Sequence, residues 1–376
     1  MYIKWLVVKN FRNYSLLELS FSPGINCIVG NNGVGKTNIL EAISVVSNIR
    51  SFRNNHDAEI IKWNEDGYYC SSVVQREGEE EQRFEIGCSL RDEAVVRKLK
   101  IDGAEIKSAD AYYGKILSVI LSPIDIHIVH GQPDVRRRFI DSVISKIDAR
   151  YFKTLSEFRT ILASRNRILK NIKIRASHAK ELDVWDVLFS KKSVEIITAR
   201  GTFVTSFNEI FRDIYARISN ELPPSLCYRP SISSVDPSEV QRMLEEHRSR
   251  DIAAGSSGIG PQRDDVFIQS GAGMRFTSYA SQGQKRTAAV ALKVSECMFL
   301  ERNKGERAIV LVDDIFSELD AQRRARLVDI LRRGNQIIMT MVHCEDDALT
   351  QSSPSKIFRI DASGIVKEII ESQRRI

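Results

Sequence analysis

The spacing of hydrophobic residues changes along the chain and predicts a mixed α/β protein. Apolar and polar residues alternate in residues 3–7 and 17–21, which is typical of half-buried strands. Residues 25–29 form a short apolar run that predicts a buried strand leading directly into Gly30. After Thr37, apolar residues return at steps of three and four, which predicts a helix.

Further strands are predicted on both sides of a helical region. Residues 69–75 and 82–90 alternate and are separated by a turn at Gly78. Towards the end of the chain, residues 266–269, 308–312 and 336–341 have strand character, with a helix at about residues 284–302.

The middle of the chain has a helical pattern. From Asp134 to Lys180 there is no Pro or Gly, and apolar residues recur at three- and four-residue steps, which predicts one long amphipathic helix. A second helical stretch runs from Trp185 to Ile214, with Gly201 as a candidate break. We therefore expect a discontinuous α/β domain from residues 1–122 and 251–376, interrupted by a helical insertion, or lid, at 123–250.

Composition excludes some protein classes. No apolar run approaches the roughly 20 residues of a membrane-spanning helix, and the apolar residues near Met1 are interrupted by Lys9 and Arg12. We expect a cytoplasmic protein without a signal peptide. Six scattered cysteines without C-x-x-C spacing favour reduced structural thiols over zinc or redox chemistry.

A phosphate-binding loop lies between the third predicted strand and the helix that follows it. Gly30, four residues, and then Gly35-Lys36-Thr37 match the P-loop pattern. Glycines allow backbone N–H groups to surround phosphate oxygens, the lysine reaches the β- and γ-phosphates, and the threonine hydroxyl faces Mg²⁺. The candidate ATP contacts here are Gly30, Asn31, Asn32, Gly33, Val34, Gly35, Lys36, Thr37 and Asn38.

A second acidic element completes the expected nucleotide site. The apolar run 309–312 predicts a central strand that ends at Asp313, which we expect to hold the metal together with Thr37. Asp314 follows as the candidate base that accepts a proton from the attacking water, which makes it a catalytic candidate with Lys36.

Ser281-Gln282-Gly283-Gln284 precedes a predicted helix and has two local interpretations. A serine and a glycine at a helix N-terminus can bind phosphate. The same residues also fit an ordinary serine-capped helix after a turn.

The order of these motifs resembles the ABC-type ATPase heads, a superfamily that includes the SMC proteins. The resemblance implies an α/β, ABC-type P-loop head with mixed β-sheets and a helical lid. It also implies that Ser281, Gly283 and Gln284 contact the γ-phosphate held by the partner of an ATP-dependent homodimer, with Ser281 contributing to catalysis. Residues 317–320 resemble the D-loop of that superfamily.

Several longer segments resemble the RecF family of bacterial recombination mediators within that superfamily. They are residues 9–14, 122–125, 131–138, 250–251, 260–265 and 279–284. The resemblance implies a slow, DNA-dependent ATPase that uses ATP and Mg²⁺ as a switch. It also implies binding to single-stranded, double-stranded and gapped junction DNA, with RecR and RecO as partners in loading RecA.

Arg12, Gln262 and His343 have open roles within that resemblance. Arg12 matches a phosphate contact of related heads, although a surface arginine also fits its position. Gln262 replaces the usual histidine of the family. His343 is a candidate γ-phosphate contact, and an exposed loop histidine is the alternative.

Positive charge is concentrated on the predicted lid. Residues 134–180 contain thirteen Lys/Arg and four Asp/Glu, a difference of +9 against +6 for the whole chain. Such a concentration is expected for phosphate contacts, and a solvated helix face is the alternative. The candidate DNA contacts are Arg136, Arg137, Arg138, Lys146 and Arg150.

Other classes fit less well. An ABC transporter motor usually carries a Leu-Ser-Gly-Gly-Gln signature, and the insertion is too short for SMC arms. A nuclease would need a second acidic cluster, and a small-molecule kinase would leave residues 281–284 and 317–320 unexplained. The remaining alternative to a RecF-like switch is an ATPase subunit of another ABC-class system.

Overall fold

A computed structural model describes residues 1–53, 57–91, 94–332, 334–342, 356–361 and 364–369. Its internal contacts divide the chain into two compact units. The first unit comprises residues 1–125, 217–220 and 282–376, and the second comprises residues 126–216 and 221–281. We call the first the head unit and the second the helical unit.

The head unit contains an antiparallel sheet near its N-terminus. Its strands lie in the order β2-β1-β4-β5-β6-β7. Their bounds are β1 Tyr2–Phe11, β2 Tyr14–Ser20, β4 Gly67–Gln75, β5 Gln82–Arg91, β6 Ala94–Ile101 and β7 Ala104–Ile106. Asp102 and Gly103 both have positive φ between β6 and β7, the backbone of a tight hairpin turn.

A second, mostly parallel sheet carries the nucleotide motifs. The strand order is β14-β13-β3-β12-β11-β8, and only β14 runs antiparallel to its neighbour. The bounds are β3 Ile25–Val29, β8 Ser118–Leu121, β11 Ile309–Asp313, β12 Ile337–Met341, β13 Lys356–Ile360 and β14 Val366–Ile369. The predicted buried strands at 25–29, 308–312 and 336–341 are confirmed within a residue at each end.

Helix α1 joins the two sheets into one core. It spans Lys36–Asn48, packs on strands of both sheets, and buries Ile39, Leu40 and Ile43 completely. The head unit also holds α8, Gln282–Lys304, and α9, Ala321–Leu331. The ABC-type head that the sequence predicted is confirmed by this arrangement and by the structural comparisons below.

The helical unit is built from α2 to α7 and a two-stranded sheet. The helices are α2 Ile126–His130, α3 Pro133–Ile147, α4 Ala149–Lys173, α5 Leu182–Ser219, α6 Pro237–Ala254 and α7 Phe276–Tyr279. Strands β9 Ser225–Arg229 and β10 Asp265–Gln269 pair antiparallel. The last turn of α5 groups with the head unit.

The structure corrects three sequence expectations in this region. The single helix predicted over 134–180 is two helices, because Asp148 leaves the helical conformation and caps α4 by accepting from the Arg150 N–H at 2.8 Å. Gly201 does not break α5, which continues through it to Ser219. Phe203 and Phe207, which follow Gly201 in the helix, are buried, and this packing stabilises the helix there. Residues 251–281 group with the helical unit instead of the head, because β10 pairs with β9.

No helix in the described ranges is long and apolar enough to span a bilayer.

Candidate nucleotide site

The P-loop backbone follows the end of β3 and enters α1 at Lys36. Gly33 and Gly35 have φ of +83° and +109°, which glycine adopts readily and other residues rarely do. A Cβ on Gly35 would lie 2.6 Å from Asn13 Nδ2. Both this close contact and the positive φ therefore exclude a larger residue at position 35. Gly35 occupies the N-cap position of α1 without a side-chain cap, so no side chain caps the N–H groups of Lys36 and Thr37, and an anion can accept from them.

Lys36 is held by the loop it belongs to. Its ammonium donates to the carbonyl oxygens of Gly30 at 2.6 Å and Asn31 at 2.8 Å, and the residue is 8% exposed. Burial lowers the pKa of Lys36 below its ordinary value, although nearby Asp314 and Asp313 raise it. A phosphate would compensate for the water that this ammonium has lost.

Thr37 and Asp313 meet at the end of the central strands. The Thr37 hydroxyl donates to Asp313 Oδ1 at 2.8 Å across 276 positions of sequence. Burial raises the pKa of Asp313 above its ordinary value, and the hydrogen bonds from Thr340 and Thr37 act in the opposite direction. A hydroxyl and a carboxylate are hard oxygen ligands of the kind that Mg²⁺ prefers.

Thr340 is a member of this cluster that sequence reasoning missed. Its hydroxyl also donates to Asp313 Oδ1 at 2.8 Å, because β12 lies between β3 and β11 and pairs Thr340 with Asp313. The sequence alone does not give the strand order. Without it, nothing distinguishes Thr340 from any other threonine at the end of a buried strand.

Asp314 stands beside this cluster in an unusual backbone conformation. Its φ of +47° and ψ of +26° lie in the left-handed region, and the residue is exposed. Such a conformation costs a non-glycine residue on the order of 1 kcal/mol and is common at functional sites. The carboxylate lies close enough to Lys36 to raise the pKa of its ammonium, which places an exposed acid near the candidate site.

Arg12 has a partner that the sequence did not reveal. Its guanidinium makes two hydrogen bonds to the fully buried carboxylate of Glu41, at 2.7 and 2.9 Å, and is 18% exposed. Glu41 lies one helical turn after Thr37 and also accepts from Ser51 Oγ at 2.5 Å, with Arg53 3.6 Å away. Arg12 Nη1 also donates to the Glu59 carbonyl at 2.5 Å. The predicted phosphate contact is therefore an arginine held by a carboxylate and a carbonyl, and two of its five N–H groups remain for a ligand.

The turn between β1 and β2 supports the P-loop directly. Tyr14 Oη donates to the Gly35 carbonyl at 3.1 Å, and Asn13 Nδ2 donates to the Val34 carbonyl at 3.3 Å. Asn38 Nδ2 donates to Asn13 Oδ1 at 2.8 Å. The turn of the N-terminal hairpin therefore holds the backbone of the P-loop in place.

The signature-like segment begins α8. Gln282 and Gly283 are its first two residues, and Ser281 is exposed immediately before the helix. One turn into α8, Arg286 forms an ion pair at 3.2 Å with Glu318 of the D-loop-like segment. Asp320 then caps α9 by accepting from the Arg323 N–H at 2.9 Å. The Arg286–Glu318 ion pair therefore links the start of α8 to the segment that follows Asp314.

The structure buries two of the five candidate DNA contacts at the start of the lid, Arg136 and Lys146. Arg136 is buried and pairs with Asp265 at 2.7 Å, Arg137 donates to the Asp264 carbonyl, and Lys146 is 5% exposed. Arg138 and Arg150 remain exposed, with Arg138 paired to Asp134. The charge count could not show this, because it cannot distinguish cations that bond to other parts of the protein from cations that face solvent.

Gln262 and His343 occupy positions at which the sequence departs from the family pattern. Gln262 Nε2 donates to the Ile259 carbonyl at 2.8 Å, and its Oε1 is buried without a partner among the described residues. His343, the candidate γ-phosphate contact, lies outside the described residues.

Comparison with known proteins gives a consistent result. The family described as "RecF/RecN/SMC N terminal domain" matches residues 2–363. The "DNA replication and repair protein RecF" of Leptospira interrogans serogroup Icterohaemorrhagiae serovar Lai is 35% identical over 347 residues, covering 92% of this chain and 93% of the relative. The protein of the same name from Agathobacter rectalis is 34% identical over 361 residues, covering 96% and 97%.

Solved structures agree. The recombination mediator protein RecF with ATP, from the RecFOR pathway, superposes with a TM-score of 0.89 at 32% identity, covering 98% of both chains. An SMC head bound to the C-terminal winged-helix domain of ScpA has a TM-score of 0.54 at 17% identity, which shows a shared fold only.

Proposed function

The chain belongs to the RecF family of SMC-like ATPases, and on that premise we propose that it is an ATP-operated DNA-binding switch of recombinational repair. The observation that carries the nucleotide part is the contact between Thr37 and Asp313, 2.8 Å apart, beside a desolvated Lys36. These residues come from two distant motifs, and they offer one site for a triphosphate and its metal. Two solved relatives are named recombination mediator proteins of the RecFOR pathway, and the curated relatives are named DNA replication and repair proteins.

Each residue has a proposed role at this site. The backbone N–H groups of residues 30–38 bind the phosphates, Lys36 neutralises the β- and γ-phosphates, and Arg12, positioned by Glu41, contacts a further phosphate oxygen. Thr37 and Asp313 would hold Mg²⁺, which supplies charge neutralisation on the phosphates when bound. Asp314 accepts the proton of the attacking water.

We further propose that ATP joins two copies of the chain. In that dimer Ser281, Gly283 and Gln284 complete the partner's ATP site, and His343 adds a γ-phosphate contact. Binding energy of the nucleotide is then used to stabilise a DNA-binding dimer, and slow hydrolysis releases it. Its DNA would be gapped or single-strand/double-strand junctions, its partners RecO- and RecR-type mediators and RecA, and its location the cytoplasm.

The test is the ATPase rate per protein molecule measured against protein concentration, with and without gapped duplex DNA. We expect a low specific rate that rises with protein concentration and with DNA, and that Lys36→Met abolishes. Ser281→Arg should also abolish the rate while leaving ATP binding to the monomer intact, because it disturbs only the shared site.

A flat specific rate, unchanged by DNA, would contradict the shared site. In that case each chain would hydrolyse ATP alone, and the proposed role of residues 281–284 would fail while the P-loop assignment remained.

A further inference from the structure

The C-terminal end of α4 and the segment after it carry a group of exposed cations. We call this group the α4 tip; it consists of Arg167, Lys170, Lys173, Arg175 and Lys180. Within the described part of the chain, none of their side chains has an ion pair or a hydrogen bond. Other arginines of the same unit behave differently, since Arg165 and Arg248 both bind buried carboxylates.

The acidic residues of this region are already occupied. Asp183 and Asp186 pair with Arg248 at 2.9 and 2.7 Å, and Asp251 pairs with Arg165 at 2.8 Å. The Glu181 carboxylate accepts from its own chain, at the N–H of His178, 3.0 Å away. The positive charge of the α4 tip is therefore not cancelled by these four neighbouring acids.

The α4 tip lies next to a small hydrophobic cluster. Ile168, Leu169 and Leu182 form this buried cluster, extended by the partly buried Ile172, Trp185 and Ile252. A Cβ on Gly255, after the end of α6, would lie 3.2 Å from Lys170 Cγ and 4.0 Å from Lys173 Cδ. The lysine stems lie along the protein surface, which reduces the side-chain entropy lost when a ligand binds.

Arg175 occupies a position that glycine usually takes. Helix α4 ends in a Schellman motif, in which the Ala176 N–H donates to the Asn171 carbonyl and the Arg175 N–H donates to the Ile172 carbonyl. Arg175 is the left-handed residue of this motif, with φ of +61°. Favourable interaction with the helix dipole accounts for Lys170 and Lys173 in the last turn, but it does not account for a strained arginine beyond the helix.

We propose that the α4 tip binds the phosphate backbone of DNA. The inference rests on the DNA-binding function proposed above and replaces the buried residues Arg136 and Lys146 as its site. A group of exposed cations without acidic partners, beside a packed cluster, fits a polymer of phosphates, which it can bind without reading sequence. The other polyanion that this surface could hold is an acidic protein segment.

The experiment compares two double variants with the same change of charge. Lys170→Ala/Lys173→Ala removes two tip cations, and Lys191→Ala/Arg212→Ala removes two exposed, unpaired cations from α5 in the same unit. The affinity of the full chain for a short fluorescent DNA duplex, with ATP and Mg²⁺ present, is measured from about 50 to about 200 mM KCl.

We expect the slope of log K against log salt to become shallower by about 1.8 for the tip variant, since each lost phosphate contact on duplex DNA contributes about 0.9. The control should keep the slope of the unaltered chain. Arg175→Gly adds a separate readout: it should raise the melting temperature by removing backbone strain and at the same time weaken DNA binding. A residue that served only the fold would not produce these opposite changes.

Equal slopes for the tip and control variants would overturn the inference. So would loss of binding to poly-L-glutamate with DNA binding unchanged, since the partner would then be an acidic protein. If the unaltered chain binds no DNA at all, the proposed function itself fails, and that result is distinguishable from a DNA-binding chain whose tip is irrelevant.

Discussion

Two buried cations, Lys36 in the head unit and Arg200 in the helical unit, are compensated in different ways. Lys36 donates its hydrogen bonds to two backbone carbonyls, and burial lowers its pKa. Arg200 is 2% exposed and makes hydrogen bonds at 2.7–2.9 Å to the carboxylates of Asp141 and Asp264. Burial acts to lower the pKa of Arg200 as well, but the surrounding acids outweigh it and the pKa lies well above its ordinary value.

The difference indicates what each cation is for. A buried ammonium that has lost water without gaining a carboxylate is a site for an anion from solution, because a phosphate can supply the missing charge. A buried guanidinium already bound by two carboxylates has no need of a ligand, and it fixes the helices that carry its partners. Neutralisation, and not the count of lysines and arginines, separates binding cations from structural ones in this chain.

The largest expected effect is on Arg200. Arg200→Met leaves Asp141 and Asp264 buried without their cation, and removing one partner of a buried ion pair typically costs about 3–5 kcal/mol. We expect a lower midpoint in urea unfolding, with ATP affinity of the folded protein nearly unchanged. Urea titrations monitored by circular dichroism and a nucleotide-binding assay measure the two quantities.

The matched control for Arg200 neutralises all three groups. Arg200→Met/Asp141→Asn/Asp264→Asn should recover part of the lost stability, because no uncompensated charge remains. If the single and triple variants were equally unstable, the cost would come from lost packing and the comparison between Lys36 and Arg200 would lose its basis.

The next effect is on Lys36. Lys36→Met should weaken ATP binding by roughly 10- to 100-fold, because hydrogen bonds to charged groups contribute about 1.5–3 kcal/mol. Stability without nucleotide should stay the same or rise, since the variant no longer pays for a desolvated ammonium. Thermal melts with and without ATP-Mg²⁺ test both statements, and an unliganded Lys36→Met protein that melts well below the unaltered chain would contradict them.

Local patterns predicted the strand, loop and helix around residues 30–37 and the approach of Thr37 to Asp313, because these features are encoded locally. Residues 30–37, together with the apolar run before Asp313, placed the loop between a strand and a helix and brought Thr37 to Asp313. Thr340 and Glu41 were missed, since only the strand order and the N-terminal hairpin bring them to the site.

The helical unit was less predictable for a related reason. Helical periodicity found its helices, but the residues between them form contacts over long sequence distances. Arg136 reaches Asp265 across 129 positions, and no local pattern reports such a pairing. The break at Asp148 was recognisable in principle, because aspartate is a favoured N-cap residue, although the apolar spacing continues through it.

A moderate effect is expected at Glu41. Glu41→Gln keeps the size of the side chain but removes the charge that holds Arg12, and hydrogen bonds to charged groups contribute about 1.5–3 kcal/mol. We expect weaker ATP binding and a small loss of stability, measured by titration calorimetry and thermal melts.

The double variant decides whether Glu41 acts through Arg12. If it does, Arg12→Ala/Glu41→Gln should bind ATP no more weakly than Arg12→Ala alone. Additive losses in ATP affinity would mean that the two residues act separately.

The smallest effect is expected at Asp148 and extends the comparison to helix ends. Helix α4 has its N-terminus capped by Asp148, whereas α1 begins at Gly35 with no side-chain cap. Asp148→Ala should cost about 1 kcal/mol in the free energy of unfolding, equally with and without ATP, because its cap is internal to the helical unit. The uncapped end of α1 should instead be stabilised by the nucleotide phosphates, so ATP should raise the stability of both proteins by the same amount. Chemical unfolding of the unaltered and Asp148→Ala chains, each with and without ATP-Mg²⁺, gives the four free energies of unfolding. If ATP restored the stability that Asp148→Ala loses, nucleotide binding would also stabilise α4, contrary to this prediction.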